Sequence, residues 1–416
     1  MINIRRVVLL VVLCVQEVAM LSAASTPFLR PYDYMFFPRK WPEQRASLLN
    51  MGAAGFSPHA YNALGDKVNA FQMWNPTQDA LAMLKGFPLT TVQGQTAQAI
   101  TFDGDNGIRG NFLVTGNFEI PLSYAGAFRY NITPDWTVAA FLPAHVVSAS
   151  HISWIDLTPS TTADDILIKQ LITNNFAANV ALWGDGLSLE SWSKAGVGDF
   201  SCAICWSKEF KQYKQYIKTA VPRASFGLSF PTGVQADSDK PLSMAFGFDG
   251  AYAAIFDIGL YINFSHWLDV GFNCEFIQAF MHTKQRRIKI DVNQTELLLL
   301  TKTAVTKDLG LIQRFNLFAE AHFNDALSLR FLYNYIRHSA STLYVVSNEY
   351  SSLIANTAPS VDQWTAHSII FQLRMDTATE EDQRYKPQMF VFWKHPFNGK
   401  RSVAMNYIGA GLELTF

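Results

Sequence analysis

One pattern recurs along this chain: apolar side chains at every second residue, with polar or small ones between. In 268–280, Leu268, Val270, Phe272, Phe276 and Phe280 alternate with Asp269, Asn273 and Glu275. In 255–264, Phe256, Ile258, Leu260, Ile262 and Phe264 alternate with Asp257, Gly259 and Asn263. Stretches 109–120, 198–209, 309–323 and 407–416 read the same way, and 121–131, 136–150, 213–230, 326–338, 361–375 and 385–396 do so more weakly. A period of two places alternate side chains on opposite faces of a strand and on no single face of a helix. The pattern therefore predicts an all-β fold of about twelve strands, each near or above the roughly 9–11 residues that a tilted strand needs to cross a bilayer.

The connections sort by length. NITPD (131–135), NFSH (263–266) and FNDA (323–326) are tight, and the chain turns at once after 198–209. The segments 151–197, 231–245, 282–308 and 339–360 are long. Short and long alternate, as in a transmembrane antiparallel barrel with short periplasmic turns and long outer loops. EIPLS (119–123) and FNGKR (397–401) read as brief turns and 376–384 as a moderate loop, and these depart from the rule. The tight turns collect aromatics, Tyr130, Trp136, Tyr213, Phe264, Trp267 and Phe323, with Phe416 at the same level. Such a collection fits an interfacial aromatic girdle.

Composition excludes other classes. Charged residues make up 16% of the chain, against about 25% in an ordinary soluble domain. Aromatics reach 14%, including 32 Phe. A net charge of -1 gives no electrostatic footprint for nucleic acid. No apolar stretch is long enough for a transmembrane helix. Arg5 and Arg6, then the apolar run 7–15, then Ser22, Ala23 and Ala24 read as an export signal over 1–24.

The terminal YIGAGLELTF places Ile408, Ala410, Leu412, Leu414 and Phe416 on one face and Glu413 on the other. A last strand with lipid outside and lumen inside closes against the first, leaving no unpaired edge. In this the chain resembles Gram-negative outer-membrane β-barrel proteins over roughly 109–416. The resemblance implies that the strand ending in Phe416 is read by the barrel-assembly machinery. GVGDF (196–200) is similar to a strand opening of FadL-like and aromatic-degradation-pathway barrels.

Residues 25–108 do not fit the simple repeat. They are expected to form a plug, extra strands (47–57 and 68–74, making about fourteen) or a periplasmic lead-in. Pro76, Asp79 and Gly86 mark a short helix at 76–86.

Chemistry-bearing motifs are few. Cys202 and Cys205, three apart on a strand, point to opposite faces and share no metal. His151 and Ser153 share a face near the outer rim and resemble the His-x-Ser arrangement of outer-membrane phospholipases and lipid A deacylases. No third residue orients the base, as a nucleophile requires. Asp103 to Gly107 lacks the closing Glu of a calcium loop, so no metal or cofactor is expected. The remaining candidates are the charges assigned by parity to the lumen: Arg109, Glu119, Arg129, Glu209, Arg223, Asp257, Asp269, Glu275, Arg314, Glu320, Arg330, Arg374 and Glu413. Opposite charges there pair across strands or line a polar path for small solutes. The expected function is an outer-membrane channel of low charge selectivity, with no enzymatic activity. A closed structural or surface-interaction barrel is the alternative, and a lipid hydrolase a third reading.

Overall fold

Antiparallel pairing runs without a break around a ring of twelve strands in the computed structural model, which describes residues 45–100, 107–212, 214, 216–376 and 386–416. The export signal expected at 1–24 lies outside these residues. The strands are β1 (Ala46–Tyr61), β2 (Asn111–Asn131), β3 (Trp136–Asp156), β4 in two segments (Trp192–Val197 and Phe200–Ser207), β5 (Thr219–Phe230), β6 (Ala253–Ser265), β7 (Leu268–Ala279), β8 (Leu311–His322), β9 (Leu327–His338), β10 (Trp364–Asp376), β11 (Lys386–Lys400) and β12 (Ser402–Thr415). Each pairs with its successor, and β12 returns to β1 with Ser47 opposite Thr415 and Tyr61 opposite Ser402. Reciprocal backbone bonds between Ala46 and Phe416, at 2.8 and 2.9 Å, complete the closure. No edge is left to solvent or lipid.

The two faces are sorted as alternation predicts. Phe200, Ile258 and Leu412 point outward and are 37%, 38% and 37% exposed. Their neighbours Ser201, Asp257 and Glu413 point inward and are buried. This inverts the arrangement of a soluble protein, so the outer surface requires hydrocarbon as its solvent. At the short-turn end Tyr130, Trp136, Trp267, Phe323 and Phe416 are all exposed and form a girdle. Among the described residues no helix is long and apolar enough to cross a membrane; the crossing is made by strands.

The count of twelve arises differently from the sequence reading. Residues 119–123 are not a turn. The strand runs straight through them, with a register shift between Glu119 and Leu122. Pro121 sits in that bulge, where a missing N–H costs no ladder bond. Two expected strands are thus one, and the lost strand is recovered as β1, within the segment expected to precede the barrel. With these changes loop length segregates cleanly. The connections 132–135, 208–218, 266–267 and 323–326 lie at one end. The connections 62–110, 157–191, 231–252, 280–310 and 339–363 lie at the other, where only the hairpin at Arg401 is tight.

Residues 62–110 therefore join β1 to β2 from the outer side, and part of the segment enters the barrel. Phe71, Met83 and Leu84 are buried in one apolar cluster with Phe118, Phe318, Leu332, Ile370, Phe390, Phe392 and Tyr407, inward residues from around the ring. Asn69 Nδ2 and Gln72 Nε2 donate to the Gly116 and Val114 carbonyls, both at 2.9 Å. The helix expected at 76–86 does not form. Gln78 and Asp79 pair instead with Phe112 and Asn111, and Asp79 Oδ1 accepts from the Leu81 and Ala82 amides, closing a single tight turn at Ala82–Leu84. Helix occurs later, at Val92–Ala99, capped by Thr91. Above the barrel, His282–Arg287, Lys302–Asp308 and Thr342–Val345 from two long loops form a small antiparallel sheet.

Candidate functional site

Toward the short-turn end the barrel is filled by paired charge. Arg129 Nη2 meets Glu413 Oε1 at 3.2 Å, with side chains 1% and 0% exposed. Glu320 receives Arg330 at 2.5 Å, Arg374 at 3.3 Å and the Ser328 hydroxyl at 2.6 Å. Asp269 takes His322 Nε2 at 2.6 Å, Asn263 at 2.6 Å and the Tyr261 hydroxyl. Nearer mid-barrel, Arg223 faces Asp257 at 3.6 Å and Arg314 faces Glu275 at 3.5 Å. Charges removed from water persist only when so answered.

A belt of amides lies among these pairs. Asn334 Nδ2 donates to Asn316 Oδ1, and Asn316 Nδ2 to Asn273 Oδ1, each at 2.6 Å. Asn273 donates to Asp257, and Ser368 Oγ donates to Asn334 Oδ1 at 3.3 Å. Register explains the belt, because Asn273, Asn316, Asn334 and Ser368 stand opposite one another on β7, β8, β9 and β10. Gly409 and Gly411 make room for two inward rings of β11: an added Cβ would meet the Phe392 ring at 2.4 Å and the Phe390 ring at 2.3 Å.

Of the thirteen charges assigned to the lumen, ten are brought there: Arg129, Arg223, Asp257, Asp269, Glu275, Arg314, Glu320, Arg330, Arg374 and Glu413. Three are not. Arg109 lies before β2, and its Nε bonds Asp165 Oδ1 at 2.8 Å in an outer loop. Glu119 precedes the bulge and stands on the face opposite buried Phe118 and Ile120, since the bulge resets parity. Glu209 lies beyond the end of β4. Cys202 and Cys205 fall on opposite faces, with Cys205 Sγ within 3.5 Å of Arg223 Nη2. His151 and Ser153 sit exposed at the outer part of β3, where His151 has φ +52° at a second bulge. No metal-binding cluster occurs among the described residues.

The sequence reading missed a second region. A cavity of about 260 Å³ lies between the inward segment, the outer sheet and the outer ends of β8, β10 and β12. Its apolar wall includes Trp74, Leu242, Met244, Leu309 and Trp364; its polar wall includes Asp249, Arg286, Lys307, Asp362 and Arg401. Asp362 answers Arg401 at 3.0 Å. Asp249 is shared by Lys284 and Arg286, both at 2.5 Å. Arg286 Nε and Nη2 have no acceptor, and among the described residues Lys307 Nζ has no hydrogen-bond or ion-pair partner. Burial, reinforced by Arg286, lowers the Lys307 ammonium to about 8. Burial also raises the Glu296 carboxyl, against Ser360 and Lys289. For Asp249 burial is outweighed by Arg286 and Lys284, which hold it below the usual carboxylate range. Leu242, Asp249 and Arg401, three of the six non-glycine residues with positive φ among the described residues, line this cavity. Strained backbone of this kind persists where the surroundings fix it, often at binding sites. The cationic run from Lys284 to Lys289 was the available signal for this region.

No protein-family model and no curated protein matches the sequence. Solved structures do resemble it. The COG4313 outer membrane channel from Pseudomonas putida F1 superposes with a TM-score of 0.50 at 10% identity, over 90% of this chain and 97% of that one. A FadL homologue of Pseudomonas aeruginosa (TM-score 0.31, 9% identity, 89% of each chain) and the Ralstonia pickettii toluene transporter TbuX (0.32, 10%, 90% of this chain and 89% of that one) are more distant. At these identities the likeness is one of fold: a closed outer-membrane-type barrel of twelve antiparallel strands.

Proposed function

We propose that this chain is an outer-membrane channel for small solutes, held closed by its inward-folded segment. The observation that carries the reading is the outer cavity, a partly open space with incompletely answered positive charge. A barrel serving only as a scaffold gains nothing from unpaired buried donors beside such a space, because they cost stability. The solute path would run from the cavity past Phe71 and Phe118 to the amide belt and the paired charges. These charges, both signs in contact, favour neither anions nor cations in the lower lumen. In this reading the strand ending at Phe416 is the segment that the assembly machinery reads.

The ionic packing of the lower barrel favours the second reading, a closed structural barrel. Planar-bilayer recording separates the two. The intact chain should show infrequent openings, and Phe71→Ala, which removes a ring seated against Gly116, should raise the open fraction. No current and no liposome swelling from either protein would sink the channel. A chain that stays dispersed without detergent would sink the membrane assignment.

A further inference from the structure

We propose that the outer cavity binds a small organic monocarboxylate with an apolar body, its carboxylate held by Arg286 and Lys307 and its body against Trp74, Met244, Leu309 and Trp364. The proposal deepens the channel reading and rests on it only for the claim that the bound acid is also cargo.

The argument begins with the guanidinium. Arg286 uses Nη1 on Asp249, while Nε and Nη2, the two parallel donors that grip a carboxylate in bidentate fashion, have no acceptor. The same edge of Arg330 does meet a carboxylate, with Nε and Nη2 both reaching Glu320 Oε2. Arg330 thus carries a carboxylate on this edge, and Arg286 carries none among the described residues. Lys307 borders the same cavity, and among the described residues its Nζ has no hydrogen-bond or ion-pair partner. Fixed donors and an unanswered cation select an anion. Phosphate or chloride would need no more than this, but the facing wall is two indoles, a thioether and aliphatic side chains, which recover free energy only from apolar surface. The volume, about 260 Å³, falls below the roughly 300–1,000 Å³ of drug-sized ligand sites. A single ring or a short chain fits such a space.

The test uses the full chain, purified in detergent, with calorimetric titration by sodium benzoate. Benzyl alcohol supplies the ring without the charge, acetate the charge without the ring, and inorganic phosphate the anion alone. Benzoate should bind about tenfold or more tightly than each of the three. Lys307→Met should weaken benzoate by about tenfold, since a charge-assisted contact is lost, and Arg286→Gln by at least as much. Heat-modifiable gel mobility reports folding. Should Arg286→Gln misfold after releasing Asp249, Lys307→Met decides alone, because it breaks no existing contact. Absence of benzoate binding, equal binding of phosphate or benzyl alcohol, or a folded Lys307→Met protein with unchanged affinity would each overturn the site. Liposome flux is scored separately: binding without flux sustains the site and sinks the channel, whereas flux without binding sinks the site alone.

Discussion

The two ends of this barrel hold the same kinds of side chain in opposite states. In the lower lumen Glu320 is gripped by Arg330, Arg374 and Ser328, and Arg129 is seated on Glu413. In the outer cavity Arg286 has half its fork empty, and Lys307 stands without a partner. Single atoms without a hydrogen-bond partner occur at both ends, but each floor cation meets a carboxylate, whereas Lys307 meets none among the described residues and borders a cavity. A finished ion pair is a structural element, and removing one member leaves the other stranded. A cation beside a cavity has donors left to offer a ligand. Substitutions in the floor should therefore be read in stability, and those in the cavity in ligand affinity.

The largest effect is expected at Glu320→Ala. It takes from the buried Arg330 and the half-buried Arg374 the carboxylate they share, leaving Arg374 with Asp376, and should cost about 3–5 kcal/mol, measured as a lower urea midpoint for the barrel folded in lipid vesicles. A cost near that of an exposed surface change would show that the floor holds nothing together. The outer face gives the next test. Ile258→Arg, near the middle of β6 with its side chain in lipid, should cost about 2–4 kcal/mol. The same assay on Leu353→Arg, in an exposed outer-loop position, should give almost no change. Equal effects at the two positions would remove the lipid belt. A smaller loss, about 1–3 kcal/mol, is expected from Gly409→Val, whose Cβ would collide with Phe392 at 2.4 Å.

These three tests fall on parts of the molecule that differ in how far the sequence revealed them. Alternation exposed the faces of β6, β7, β8 and β12 because the period of a strand is two and each stripe is continuous. It failed at β2, where a bulge after Glu119 shifts parity and the apolar residues Phe118 and Ile120 turn inward. A pattern cannot carry its own phase across an extra residue. The ion pairs were half legible: ten of the charges could be placed inside by parity, but their partners depend on register, which only the paired strands reveal. The inward segment was ambiguous because its order comes from contacts distant in sequence, such as Gln294 Nε2 donating to the Met83 carbonyl at 3.2 Å and the Leu297 amide donating to Gln78 Oε1 at 3.0 Å. The cavity was illegible for the same reason. Trp74, Arg286, Lys307 and Trp364 come from two separate outer connections and one strand end, and no local spacing joins them.

The smallest stability effect should accompany the clearest functional one. Lys307→Met should leave the unfolding midpoint within about 0.5 kcal/mol of the parent, since no contact is lost. Its effect should appear in pH dependence. Arg286 and Lys284 on the neighbouring strand, Asp249 from the 231–252 connection, Glu296 from its short turn and His338 at the end of β9 all lie within electrostatic reach of Lys307. The resulting ammonium titrates near 8, so it is charged below that pH and neutral above it. A carboxylate ligand is anionic throughout the neutral range. Benzoate affinity should therefore be level below neutrality and decline as pH rises through about 8, the direction set by loss of a cation rather than gain of an anion. The decline should stop at a residual affinity, because Arg286 keeps its charge. In Lys307→Met the curve should be flat at that residual value. A decline that survives the substitution would assign the titration to another group and leave Lys307 as a structural residue like those of the floor.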